Sequence, residues 1–129
     1  MDRLSTYCIH TLRHSDELRA QRRTGGRHEL TERKLWVTGR QLWAEALRSG
    51  ERMPVIFSGA DIDTGLSYWA VIDDIAFADE KTSCSYSDLR DIEPPRPLSA
   101  LRLRKGNRQL SDNLIRPYAI CYTPGFLAV

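Results

Sequence analysis

Long hydrophobic runs are absent from this chain of 129 residues. No apolar segment approaches the roughly 18 to 20 residues that a membrane-spanning helix needs, and the first residues lack the apolar core of a secretion signal. Cysteine is also scarce. The three cysteines are an odd number without CxxC spacing, so no disulfide framework is expected. These absences predict a cytoplasmic protein that does not associate with membranes.

Lysine is scarce as well, and arginine supplies most of the positive charge. Only three of the nineteen basic residues are lysine, and the other sixteen are arginine. The planar guanidinium group suits phosphate oxygens and stacks on bases, although codon usage in a GC-rich genome gives the same excess. The arginine content alone leaves both interpretations open.

The formal net charge of +2 conceals three blocks of opposite sign. Residues 1–53 have eleven basic and seven acidic side chains, residues 54–93 have two and nine, and residues 94–129 have six and one. This division predicts separate basic and acidic surfaces, provided that the blocks do not neutralise one another in the fold.

The N-terminal region is predicted to hold a strand, a short helix and a basic arm. Side chains alternate over Ser5–Arg13 as in a strand. Ser15, the acids after it and Arg22 in the last turn are typical of a helix, which Gly25 and Gly26 then end. The basic residues around this glycine pair predict an exposed and mobile arm or loop.

The strongest local signal predicts a second helix over Gly39–Ser49. Thr38 and Gln41 match a capping box, and Gly50 is the expected stop. Apolar residues at i, i+4 spacing predict one buried stripe. The stripe consists of Leu42, Trp43, Ala46 and Leu47.

The remainder of the chain is rich in strand patterns. Pro54–Ser58 and Leu66–Phe77 predict a hairpin with a long acidic loop. Ser83–Ser87 predicts another short strand, and the prolines of Asp91–Pro97 indicate an extended connection. Arg116–Tyr122 predicts the last strand.

A capped helix, Leu42–Gly50, leads into the strand Met53–Gly59, followed by a strand that begins with glycine, Gly65–Ile75, and a closing strand at Arg116–Tyr118. This order of features resembles the PUA-like superfamily, which includes the ASCH and EVE domains. Members of that group are small β-barrels with flanking helices and are commonly implicated in binding RNA, DNA or modified bases. The resemblance implies the same fold and ligand class here.

We therefore predict one α+β domain over residues 1–129, with a mostly antiparallel, barrel-like sheet and two short helices. Residues 1–33 hold the N-terminal strand, helix and arm, and residues 34–129 the PUA-like core. One ASCH-like subgroup uses a catalytic Thr, Lys and Glu constellation. The nearby set in this chain is Thr31, Glu32 and Lys34, which lies in a charged segment and does not predict a site.

The function that these features favour is non-catalytic binding of nucleic acid or a nucleotide. Lys105-Gly-Asn-Arg108 is a tight-turn signature flanked by cations, and it predicts a hairpin over residues 101–108. Cations of the arm and of this hairpin are the candidates for phosphate contacts, and a tyrosine that faces a cleft is the candidate for a base or sugar contact. Of the neighbours Tyr68 and Trp69, the tryptophan is expected in the core and the tyrosine in the cleft. The predicted binding residues are Arg22, Arg23, Arg27, Arg33, Lys34, Arg102, Arg104, Lys105, Arg108, Tyr68 and Tyr118.

A homodimer is also expected. A first strand followed by a Gly-Gly hinge can exchange with a second copy, and two copies would double the phosphate contacts. The same strand can equally pair within its own chain, and the sequence does not separate the two.

No cofactor or metal ion is predicted. Cys8, His10 and His14 are close in sequence, but a strand places only the first two on one face. No local signature of a catalytic nucleophile surrounds any cysteine.

Two other functions remain open. A small hydrolase acting on modified nucleosides would need a positioned acid or base such as Glu45 or Asp74. A protein-interaction module would use an acidic face that includes Asp61 and Asp63.

Overall fold

The chain folds into an α+β arrangement, given by a computed structural model that describes residues 3–59, 65–110 and 118–127. The helices and strands in this described part are, in chain order, β1 (Arg3–Leu4), β2 (Tyr7–Arg13), α1 (Ser15–Thr24), β3 (Arg27–Glu32), α2 (Val37–Arg48), β4 (Glu51–Arg52), β5 (Pro54–Gly59), β6 (Leu66–Ala78), β7 (Lys81–Arg96) and β8 (Ala119–Tyr122). Neither of these helices has the length and apolar character to cross a membrane. The α+β class is confirmed.

Six strands form one sheet in the order β3-β7-β6-β5-β2-β8. The β2–β5 neighbours run parallel, and the other neighbours in this sheet run antiparallel. The short strands β1 and β4 make a separate parallel pair. The prediction of a mostly antiparallel sheet is therefore confirmed, whereas the barrel-like closure is wrong, because β3 and β8 form the two edges and do not pair.

Two side-chain contacts lie on the side of the sheet where a barrel would have a backbone ladder between β3 and β8. Arg13, at the end of β2, donates from Nη2 to the carbonyl oxygen of Thr31 in β3 at 3.4 Å. Trp36, four residues after the end of β3, stacks on Tyr118, which directly precedes β8. Neither contact is a backbone ladder, and the sheet stays open.

Both faces of the sheet are covered, because β2 and β5 send alternate side chains to opposite sides. The helices pack on the side of the first core, and the segments around 98–110 and 126–127 pack on the side of the second core. The first core consists of Ile9, Leu18, Leu30, Trp36, Met53, Val55, Phe57, Ala70, Ile72, Ile75, Cys84, Tyr86 and Leu89. The second core consists of Cys8, Ile56, Leu66, Trp69, Ile92, Leu98, Leu101, Leu110, Ala119, Cys121 and Leu127.

The predicted N-terminal strand and helix are confirmed, but the basic arm is not. Arg27–Glu32 forms β3, an edge strand paired antiparallel with residues 82–87 of β7. Leu30 anchors it by packing into the first core. The strand β2 pairs on both sides within the chain, with β5 and with β8.

Helix α2 begins two residues earlier than predicted, at Val37, and the predicted capping box is wrong. Thr38 lies inside the first turn, and Trp36 occupies the N-cap position without a side-chain cap. The stripe is confirmed for Leu42, Trp43 and Ala46, which pack inward, whereas Leu47 is exposed. Tertiary contacts replace the local cap, as the site below shows.

Strand β7 runs for sixteen residues, far beyond the predicted Ser83–Ser87. It pairs with β6 along its length through three register shifts, which an alternation pattern does not anticipate. Its later half has no partner in β3, and residues 92–95 fall in a register shift of the ladder to β6, so Pro94 and Pro95 sit where no ladder needs their missing N–H groups. The prolines therefore do not end the strand.

Candidate nucleic-acid interface

A cleft of about 560 Å³ lies between the first turn of α2, the turn at 103–108 and the start of β8. The cleft is lined by residues that follow the edge strand β3 and by the first residues of the other edge strand, β8. It therefore lies on the side of the fold where the sheet does not close. Its described lining residues are Lys34, Leu35, Val37, Thr38, Leu103, Arg104, Lys105, Arg108, Tyr118, Ala119 and Ile120.

Thr82 fixes the segment that delivers Lys34 to the cleft. Its hydroxyl accepts the N–H of Trp36 at 3.0 Å and donates to the carbonyl oxygen of Lys34 at 2.7 Å. Thr82 is fully buried at the start of β7. These two hydrogen bonds satisfy backbone groups just before α2. Thr82 thus replaces Thr38, the capping residue that the sequence predicted.

Tyr118 forms a rigid part of the cleft wall. Its hydroxyl accepts the N–H of Gly39 at 2.7 Å, and its ring stacks on Trp36 with centroids 4.9 Å apart. The ammonium group of Lys34 lies 5.8 Å from the ring centroid. Burial raises the pKa of Tyr118 above 10, so the hydroxyl stays protonated at neutral pH.

A tight turn presents three further cations. The N–H of Leu103 donates to the carbonyl oxygen of Arg108 at 2.7 Å, and the N–H of Arg104 donates to the carbonyl oxygen of Ile120 at 2.9 Å. Gly106 and Asn107 have φ values of 79° and 50°, the left-handed conformation that glycine and asparagine tolerate best. The turn is thereby tied to β8, and its cations lie over the cleft.

The cleft is strongly basic. Four of its lining residues are cationic, and no described lining residue is acidic. None of the four forms an ion pair with a carboxylate in the part of the chain that the structure describes. Arg104 lies over the ring of Tyr7, with 5.1 Å from Cζ to the centroid. Such unpaired positive charge favours an anionic ligand.

The structure brings together five of the eleven predicted binding residues and separates the others. Lys34, Arg104, Lys105, Arg108 and Tyr118 line the cleft. Of the rest, Arg23 and Arg33 are exposed elsewhere, and Arg102 donates from Nη1 to the carbonyl oxygen of Asn107 at 3.0 Å.

Two of the predicted arginines are neutralised by acids of the middle block. Arg22 lies 3.5 Å from a carboxylate oxygen of Asp91, and Arg27 lies 3.9 Å from one of Asp73. Asp73 also pairs with Arg52 at 3.1 Å. The first basic block therefore meets the acidic block in the fold, which the charge pattern left open.

Tyr68 does not line the cleft. It is half-buried and packs against the first core, while Trp69 is buried in the second core. The expectation of Trp69 in a core is confirmed. The premise that only one of the two could face a core is wrong, because both faces of this sheet are covered.

Sequence reasoning missed Gly39 and Thr82, which position the site, and also the apolar lining residues Leu35, Val37, Leu103 and Ile120. A Cβ added at Gly39 would lie 2.9 Å from Tyr118 Oη and 3.0 Å from Ile9 Cδ1. A glycine inside a helix is unfavourable by itself, which could have drawn notice to the position. No pattern in the sequence singles out Thr82.

Replacing Gly39 with alanine is expected to lower the free energy of unfolding by roughly 1 to 2 kcal/mol, measured by urea denaturation. Overpacking costs about 1 to 3 kcal/mol and a displaced hydrogen bond about 1, against a gain of about 1 in helix propensity. Gly125→Ala is the control, because its added Cβ meets nothing within 4 Å. A more stable Gly39→Ala variant would show that Tyr118 does not approach this backbone.

Other candidate chemistry falls outside the cleft. No group of three potential metal ligands occurs among the described residues. Cys8 and His10 are buried on the side of the second core, whereas His14 is exposed at the start of α1. Burial raises the pKa of Cys84 and of Cys121 to about 12, so both are thiols at neutral pH.

The residues behind the rival functions are also placed apart from the cleft. Glu45 on α2 and Asp74 on β6 are both exposed and do not contribute to its described lining. Asp61 and Asp63 lie outside the described residues.

Comparisons with family models, with curated proteins and with solved structures find no match for this chain. The function is therefore argued from the geometry of the cleft.

Proposed function

We propose that this protein binds nucleic acid or a nucleotide without catalysis, through phosphate contacts in the cleft between α2 and the 103–108 turn. The observation that carries the proposal is the meeting of Lys34 with Arg104, Lys105 and Arg108 over one cavity, although about seventy residues separate them in sequence. Lysine and arginine that converge on a concave surface are suited to phosphate oxygens.

The four cleft cations have no carboxylate partner among the described residues, which supports this interpretation. Solvated arginines on a protein surface commonly pair with acids, as Arg22 and Arg27 do here. The four cleft cations instead repel one another with no described carboxylate beside them. An anionic ligand would remove that repulsion, and the release of its counterions would add to binding.

Binding of labelled single- and double-stranded DNA and RNA, followed by fluorescence anisotropy over a salt series, tests the proposal. A variant with Arg104→Gln, Lys105→Gln and Arg108→Gln is expected to bind roughly ten- to a hundredfold more weakly at low salt. The slope of log affinity against log salt should fall by about 2 to 3, because each lost phosphate contact removes about 0.7 to 0.9.

A matched control removes the same charge elsewhere. Arg19→Gln, Arg23→Gln and Arg48→Gln lie on exposed helix positions outside the described cleft lining, and the slope should stay close to that of the parent. Equal losses in both variants would remove the cleft from the interface. A folded protein that binds none of the probes at low salt would overturn the proposed function.

The homodimer and the cytoplasmic location stay predictions. Exchange of β2 between copies would require its ladders to β5 and β8 to open. Light scattering coupled to size-exclusion chromatography measures the mass directly. The three cysteines are free and buried, which fits a reducing compartment such as the cytoplasm.

A further inference from the structure

We infer that the cleft holds one unpaired nucleotide, with its phosphate on the cationic side and its base or sugar on an apolar wall. The inference rests on the proposed function and narrows it from nucleic acid in general to a nucleoside phosphate, either free or within a single strand.

The cleft has an apolar wall, which the binding of phosphate alone does not explain. Leu35 and Val37, both in the described lining, are 41% and 60% exposed. Leu103 and Ile120 add further apolar surface from the turn and from β8. Exposed apolar side chains that gather in one cavity indicate a ligand that covers them.

The two kinds of lining residue call for a ligand with two kinds of surface. Lys34 precedes Leu35 directly, and Arg104 follows Leu103, so the same cavity is lined by cationic and by apolar groups. A nucleotide combines a charged phosphate with an apolar base face and sugar edge. The volume of about 560 Å³ lies within the range of roughly 300 to 1,000 Å³ that small-molecule sites occupy.

A duplex does not offer that combination. Its bases are paired and stacked, so a protein reaches only their edges in the grooves and the phosphates outside. The faces of bases become accessible in single strands and in free nucleotides. The apolar wall therefore distinguishes an unpaired nucleotide from a duplex.

The wall is also preorganised. Tyr118 is fixed by its hydrogen bond to Gly39 and by its stacking on Trp36, and Thr82 fixes the backbone on both sides of Leu35. The first turn of α2 contains no acid, so the positive end of the helix adds to the attraction for phosphate. A site held in this way loses little conformational entropy when a ligand binds.

The test compares probes and variants by isothermal titration calorimetry. The probes are a single-stranded oligonucleotide, a blunt duplex, the four nucleoside monophosphates and inorganic phosphate. The variant Leu35→Ser/Val37→Ser removes the two exposed side chains of the apolar wall and keeps every cation. We expect it to bind the single strand or a monophosphate about tenfold more weakly, which corresponds to roughly 50 Å² of lost apolar contact. Its affinity for inorganic phosphate should stay within about twofold.

Leu47→Ser/Phe77→Ser is the matched control, since both side chains are exposed apolar residues outside the described cleft lining. Binding of a monophosphate would identify the free nucleotide as one source, and binding of the single strand alone would assign the ligand to a nucleic acid; both support the inference. Equal binding of duplex and single strand, with no effect of the wall variant, would overturn it and leave the proposed function standing. If the parent protein binds none of the probes, both the inference and the proposed function are overturned.

Discussion

The free energy of unfolding of a Trp36→Ala variant is expected to fall by about 3 to 5 kcal/mol, because the change removes a large, fully buried side chain from the first core. Trp36 is fully buried, and its ring stacks on Tyr118 at 4.9 Å. Domains of this size are typically stable by about 5 to 15 kcal/mol, so the loss is a large share of the total. Urea denaturation followed by circular dichroism measures it.

Trp36→Phe separates the aromatic stacking from the indole itself. The Nε1–H group of Trp36 is buried and has no hydrogen-bond partner among the described residues, so phenylalanine gives up no hydrogen bond there. We expect the phenylalanine variant to lose only about 1 to 2 kcal/mol. Leu35→Ala is the neighbouring control, and its exposed side chain should matter little.

The affinity of the Trp36 variants for nucleic acid tests whether the cleft depends on this side chain. Trp36 is not among the lining residues but supports Tyr118, so Trp36→Phe should retain most of the affinity for the anisotropy probes. An alanine variant as stable as the parent protein would mean that Trp36 does not fill the core, and it would weaken the structural basis of the cleft wall as well.

Local patterns predicted that β2 is a strand and that α2 is a helix. The i, i+4 stripe of α2 reports one buried face, whereas β2 is buried on both faces and was recognised from its strand pattern alone. The start of α2 was misplaced because its first N–H groups are satisfied from a distance, by Thr82 in β7 and by Tyr118 before β8. No periodicity within the helix can indicate partners that are 46 and 79 residues away.

The candidate site was predicted in part for the same reason. The arginine-rich turn could be recognised because Gly106 and Asn107 mark it locally. Its meeting with Lys34 could not, because that depends on how the sheet curls between its two edges. Arg22 and Arg27 looked equivalent to the cleft cations, and only the fold shows that they pair with Asp91 and Asp73.

Whether the sheet closes also depends on contacts between residues that are far apart in the sequence. A barrel would need a backbone ladder between β3 and β8, and the structure instead has a side-chain contact beside these strands, the stack of Trp36, which follows β3, on Tyr118, which precedes β8. The open side that results is where the cleft lies. The feature that the sequence predicted wrongly is therefore the one that creates the candidate site.

Acid is expected to destabilise the protein through one buried histidine. His10 is fully buried in β2 and shares a hydrogen bond with the hydroxyl of Ser58 in β5, at 2.8 Å from Nε2. Burial lowers the pKa of His10 to about 4, against about 6.5 in an unfolded chain. Between about pH 6.5 and about pH 4, the unfolded state binds a proton at this histidine and the folded state does not. The free energy of unfolding therefore decreases as the pH is lowered through this range. The full loss is about 3 kcal/mol.

Denaturation of a His10→Gln variant at pH 7 and at pH 4 isolates this contribution, because carboxylates affect both proteins alike. Glutamine keeps a polar group beside Ser58 but does not titrate, so the variant should lose about 3 kcal/mol less than the parent between the two pH values. His14→Gln is the matched control, since His14 is exposed. The difference between pH values is compared, so any cost of the substitution itself cancels. Identical pH profiles for parent and His10→Gln would show that water or a charged partner reaches His10 in the folded state, and β2 would then not be closed to solvent between the two cores.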